Sequence, residues 1–161
     1  MAVSALYAAF ILILIAFFAI KKRLHLFEII FTWLVVAFVH DAYFMYISLN
    51  LKLAIPSTEL PNVFIRVFYQ QIITPVVVVW GLDGIIRAKG FLLKLVMFIL
   101  PCLVLLGFKY VFYYFQIIKP ALGWNYFYGS TEGAVLVLFT LICLYLYRIV
   151  LRKDGLLHES P

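Results

Sequence analysis

HDAYFMYISLNLKLAIPSTELPNVFIRVFYQQIIT, residues 40–74, is the stretch on which the reading of this chain turns. His40 and Asp41 stand inside one apolar run. Pro56, Ser57, Glu59 and Pro61 then break the chain, and Arg66, Gln70 and Thr74 stand inside the next run. Two apolar runs joined by a short polar loop are the pattern of successive membrane spans. An ionisable group at membrane depth is costly, so each one is a functional-site candidate whose partner has to be found.

The rest of the chain agrees with a membrane setting. Of its 161 residues 67% are hydrophobic and 12% charged, whereas soluble domains are roughly half apolar and a quarter charged. No soluble fold of this length buries that much apolar surface. About 20 apolar residues cross the hydrocarbon core as a helix, which leaves room for four to six spans. Runs such as Ala8 to Ile20 do not alternate, and that excludes the strands of a β-barrel. The expected fold is therefore all-α, one bundle of five transmembrane helices over about 2–20, 26–49, 62–82, 91–116 and 131–147.

The segment ends carry the punctuation. The first run has no charge before it and Lys21-Lys22-Arg23 after it, the reverse of a signal peptide, so it is expected to stay as a span. Asn62 is a plausible N-cap for the third run, in which Pro75 frees a carbonyl for a neighbouring helix to satisfy. Asp83-Gly84 to Lys89-Gly90 reads as a short basic turn. The fourth run would measure about 39 Å, which implies tilt or an interfacial last turn. Trp124, Tyr126, Phe127 and Tyr128 have the composition of an interfacial belt, and Ser130 or Thr131 would cap the fifth run.

Charge asymmetry sets the expected orientation. Five spans place Lys21, Lys22, Arg23, Arg87, Lys89, Lys94, Arg148, Arg152 and Lys153 on one side, nine of the 13 basic residues. Lys52, Arg66, Lys109 and Lys119 fall on the other. Cytoplasmic loops carry the Lys/Arg excess, so the N-terminus is expected outside and the C-terminus inside. The net charge of +6 is thereby explained by membrane insertion, not by nucleic-acid binding.

Threading turns scattered polar residues into a layer. His40 and Asp41 come about 21 to 23 Å along the second helix, in its outer half. Arg66 and Gln70 enter about 6 and 12 Å down the third. Lys109, with Tyr113 one turn beyond it, closes the fourth, and Glu132 opens the fifth. Arg66, Gln70 and Thr74 recur every four residues and so share a helix face, as do His40, Tyr43 and Asn50. Asp41 points about 100° from His40, which makes Asp41 with Arg66 the expected ion pair. His40, Asp41, Arg66, Gln70, Lys109, Tyr113 and Glu132 together form the candidate ligand-binding cluster. It would be a cavity open to the outside, basic enough for an anionic group such as a lipid head group or a small carboxylate. Simpler roles stand beside this one. Glu132 suits the positive end of its helix dipole, and Lys109 can snorkel to the interface.

The functional classes narrow accordingly. No nucleophile elbow, phosphate loop, metal-ligand spacing or dinucleotide fingerprint occurs, so neither metal nor cofactor is expected. Cys102 and Cys143 lie in apolar runs and act as small hydrophobes. The expected role is a non-catalytic helper subunit or interaction protein surrounded by lipid, with a membrane protein or a second copy as partner. A transporter or channel protomer is the second reading. A lipid-modifying enzyme with His40 as general base is the third.

Overall fold

Val76, Val77, Val78 and Val79 face every direction around one helix, and all four are buried. A helix apolar on all sides belongs at the centre of a bundle. A computed structural model describes the backbone of residues 2–121 and 126–153, and the surroundings of side chains 4–121 and 131–153. It is all-helical, 82% helix in five rods. The first two rods are α1 (Ala2–Ala19) and α2 (Leu26–Met45), the latter extended by a π-helical turn over Tyr46–Asn50. The third and central rod is continuous, with α3 (Leu60–Phe68), a second π turn (Tyr69–Ile73) and α4 (Thr74–Arg87). The last two are α5 (Phe91–Tyr114) and α6 (Tyr126–Lys153).

Four helical stretches, Leu26–Asn50, Leu60–Arg87, Phe91–Tyr114 and Thr131–Lys153, are long and apolar enough to cross a membrane. More than half of the apolar window of the central rod is buried, 56%, against 11% for α5. The other rods thus surround it and turn apolar side chains outwards. α1 is equally apolar but only 18 residues long, about 27 Å against a hydrocarbon core of roughly 30 Å.

Several boundaries differ from the sequence expectation, each for a local reason. The third segment starts at Leu60 with Glu59 as N-cap, because Pro61 in the first turn is already set for a helix. It also runs on through the expected basic turn to Arg87. There Asp83 and Arg87 are one turn apart, with Arg87 Nε 2.7 Å from Asp83 Oδ2. The fourth segment stops at Tyr114, two residues early, before Gln116 takes a left-handed φ of 55°. α6 continues to Lys153, beyond Tyr147. α6 also begins at Tyr126, five residues before the expected start, so neither Ser130 nor Thr131 caps it. The side chains of the expected aromatic belt at Trp124 to Tyr128 lie outside the described residues.

The expected freed carbonyl has a partner. Pro75 offers no N–H to the carbonyl of Gln71 four residues back, and the Trp33 indole of α2 donates to that oxygen at 2.9 Å. Two glycines then let α5 approach the central rod. A Cβ on Gly81 would stand 2.6 Å from Pro101 Cγ, and one on Gly84 would stand 2.7 Å from Met97 Sδ.

A feature absent from the sequence reading closes one end of the bundle. Ala54–Pro56 (β1) pairs antiparallel with Ile118–Pro120 (β2), in the register Ala54↔Pro120, Ile55↔Lys119, Pro56↔Ile118. Ser57 N donates to Ile117 O at 3.0 Å, and Ala121 N to Leu53 O at 2.9 Å. This clasp ties the α2–α3 loop to the strand after α5. Pro56 is tolerated at the end of so short an edge strand.

The α4–α5 crossing gives a direct test. Gly81→Ala must push the Pro101 ring, which cannot rotate away, and should cost about 1–3 kcal/mol as an overpacked contact. Gly107→Ala meets no atom within 4 Å and should be neutral or slightly stabilising. Unfolding midpoints in detergent would separate the two, and equal effects would contradict the close crossing.

Candidate functional site

Glu132 lies in the second turn of α6, past the first turn where the sequence placed it, and is 8% exposed. A carboxylate there needs compensating charge, and two helices supply it. Lys109 of α5 forms an ion pair with Glu132 Oε2. His40 of α2 brings Nε2 to 3.6 Å from Glu132 Oε1, just beyond hydrogen-bond length. Lys109 also lies 5.7 Å over the Tyr43 ring. Three helices thus meet at one carboxylate. Beneath it, the Tyr69 ring stands edge-on to His40 at 5.9 Å, and Phe10, Phe108 and Phe112 pack around Tyr69.

Space remains around this triad. A cavity of about 40 Å³ lies under the clasp, lined by His40, Arg66, Gln70, Lys109, Tyr113 and Glu132, with Ala54 and Ile118 of the two strands in its wall. Neighbouring voids, one smaller at about 10 Å³ and one larger at about 70 Å³, also touch both His40 and Glu132. Their size suits a few waters or one small chemical group. Six of the seven residues expected from sequence therefore line one cavity.

Asp41 is the seventh, and it faces elsewhere. Its carboxylate accepts a hydrogen bond from the Gln71 side-chain amide. The expected ion pair between Asp41 and Arg66 is not formed, although the Asp41 charge acts on Arg66 through space. Arg66 instead lies over the Phe44 ring, its guanidinium carbon 4.9 Å from the centroid. The second π turn explains the difference. Its wider turn starts after Phe68, so it presents Gln70 to the cavity and Gln71 to Asp41. Thr74, fully buried, does not line the cavity. The π turn over Tyr46–Asn50 likewise leaves His40 and Tyr43 on the cavity and Asn50 exposed.

Two polar atoms of the lining residues have no hydrogen-bond partner among the described residues. They are His40 Nδ1 and Arg66 Nε, both buried. Gln70, which lines the same cavity, is 6% exposed. Among the described residues no group of three or more His, Cys, Asp or Glu side chains could hold a metal ion.

A second charged layer at the opposite end escaped the sequence reading. Glu28, 2% exposed, accepts from Arg148 of α6 through Nε at 2.6 Å and Nη2 at 3.3 Å. It also accepts from the backbone N–H of His25 at 2.8 Å, completing a capping box. Asp83 accepts from Arg23 N at 2.6 Å and Leu24 N at 3.1 Å, pinning the α1–α2 loop to the end of α4. The spacing His25-x-x-Glu28 before an apolar run was the available signal. His stands where Ser or Thr is usual, which hides it.

No protein family, curated protein or solved structure matches this chain.

The partner of Asp41 can be checked by mutant cycles. Asp41→Ala with Gln71→Ala should show a coupling of at least about 0.5 kcal/mol, the range for side chains in contact. Asp41→Ala with Arg66→Ala should come closer to additive. The reverse ranking in a detergent unfolding assay would restore the ion pair and contradict the π-turn geometry.

Proposed function

We propose that this chain is a five-span protein of a plasma or inner membrane, N-terminus outside and C-terminus inside, that acts without catalysis as a helper subunit or interaction protein. One observation carries this reading. Glu28, Asp83, Lys109, Arg148 and Glu132 are engaged with other parts of the same chain, and the voids around Glu132 measure only about 10 to 70 Å³. A larger space among the described residues, about 340 Å³, is bounded by the exposed Glu59, Tyr114 and Lys119. Glu132 joins α2, α5 and α6 at one end, and Glu28 joins α2 to α6 at the other. Such cross-ties make a rigid body whose remaining apolar faces meet lipid, a membrane protein partner or a second copy. Ile11, Ile15 and Phe18 on α1 and Leu138, Ile142 and Tyr145 on α6 are exposed in this way. Counted as a span, α1 brings the number to five, and the nine-to-four division of basic residues supports the orientation.

A transporter protomer is the second reading, supported by Arg66 and Gln70 in the cavity wall. An enzyme is less well supported, because a general base needs a polar partner within hydrogen-bond reach and Glu132 stands 3.6 Å from His40.

Thiol labelling separates the first two readings. In a background with Cys102 and Cys143 replaced by Ser, Cys at position 66 should react with an impermeant reagent added outside. Cys at position 74, fully buried, should react from neither side. A cytoplasm-only reporter fused after Pro161 should be active. Labelling at position 74 would favour a hydrated route, and a silent reporter would invert the topology.

A further inference from the structure

The cavity under the clasp has an unbalanced charge. Lys109 and Glu132 neutralise each other in contact. Asp41 is engaged by Gln71 and does not line the space. Arg66 remains as the lining cation with no carboxylate in contact, and its Nε is buried without an acceptor. A buried guanidinium donor left unsatisfied is costly, more so than a neutral group. Beside it the buried Gln70 lines the same wall. A guanidinium and an amide lining one small cavity are recognition elements for an oxyanion, which Arg can grip with its planar fork.

Volume and surroundings narrow the class. About 40 Å³ admits an acid group and little else, so the remainder of the ligand must lie outside. On the same turns of α3 the exposed residues are Phe64 and Val67, at 64% and 45% exposure. An acid group that enters the cavity with an apolar remainder outside describes an anionic lipid better than a soluble acid. His40, whose Nδ1 lacks a donor, lines the same cavity. A head group with a hydroxyl beside its phosphate would supply one.

We propose that Arg66 and Gln70 hold the phosphate of an anionic phospholipid, inserted under the β1–β2 clasp from the bilayer. This rests on reading the clasp-end polar layer as a binding site of an interaction protein. The rival is an arginine that snorkels to lipid phosphates in general, which would need neither cavity nor Gln70.

The test uses the full chain purified in neutral detergent, titrated with phosphatidylglycerol, phosphatidylcholine or inorganic phosphate and read by native mass spectrometry. Charge-assisted hydrogen bonds set the scale. Wild type should bind phosphatidylglycerol about ten-fold more tightly than Arg66→Gln, and phosphatidylcholine should not distinguish the two. Gln70→Leu should weaken phosphatidylglycerol several-fold. Inorganic phosphate should not compete. If Arg66→Gln does not fold, Arg66→Lys keeps the charge, loses the fork and should bind several-fold more weakly. Unchanged affinity in the Arg66 variants, or no preference over phosphatidylcholine, would overturn the site. Full affinity in Gln70→Leu would leave only the snorkelling arginine, and competition by inorganic phosphate would overturn the lipid assignment. Thiol labelling and the reporter do not depend on lipid, so failure of the interaction-protein reading would be seen separately.

Discussion

A carboxylate placed alone in hydrocarbon pays a solvation cost far beyond what a small bundle can absorb. Glu132 is almost fully buried, so its position is tolerable only while Lys109 and His40 face it. That requirement fixes the clasp end. Lys109 must come from the last turns of α5 and His40 from the C-terminal half of α2, which sets the register of both helices against α6. The aromatic layer beneath, centred on Tyr69, holds the imidazole from the side of the central rod. The cavity follows from this arrangement. Rigid rings and an ion pair do not close upon one another completely, and the space between them falls under the two strands.

At the opposite end the same chemistry serves packing alone. Glu28 and Asp83 are as buried as Glu132, yet each is saturated by a guanidinium and backbone N–H groups. Arg87 Nε beside Asp83 also makes no hydrogen bond, but it is ion-paired at 2.7 Å, whereas Arg66 has no carboxylate in contact. Between the two charged layers the bundle is apolar, and glycines at positions 81 and 84 let α5 lie close to the central rod. The difference between Arg87, held by a carboxylate, and Arg66, with none in contact, is what singles out the clasp end.

Much of this was legible in the residues. Hydropathy gave the helical class and the approximate rods, and counting residues from each loop brought His40, Arg66, Gln70, Lys109, Tyr113 and Glu132 to one level. The cavity that they share follows from depth and helix face together. Asp41 was misplaced because depth and opposite charge assigned it to Arg66, whereas a neutral amide on the π turn, Gln71, takes its carboxylate. Nothing in Tyr-Gln-Gln-Ile-Ile announces that turn, although Pro75 just beyond it removes a helix hydrogen bond. The strands were missed because three-residue segments in polar loops carry no periodicity. Glu28 was missed because a carboxylate beside a helix start resembles an ordinary first-turn acid, and its partner Arg148 lies 120 residues away. Contacts of that kind become visible only once the fold has brought the ends together.

The account stands or falls on Glu132 as the tie between α5 and α6. The most direct measurement is a thermodynamic cycle on Lys109→Met and Glu132→Gln, read by unfolding in detergent. Removing one member of a buried pair strands the other charge and should cost about 3–5 kcal/mol, whereas removing both should cost much less than the sum. Strong non-additivity of that sign is the result predicted. Additive losses would mean that Lys109 and Glu132 do not share a buried contact, and the polar layer built on it would have to be redrawn.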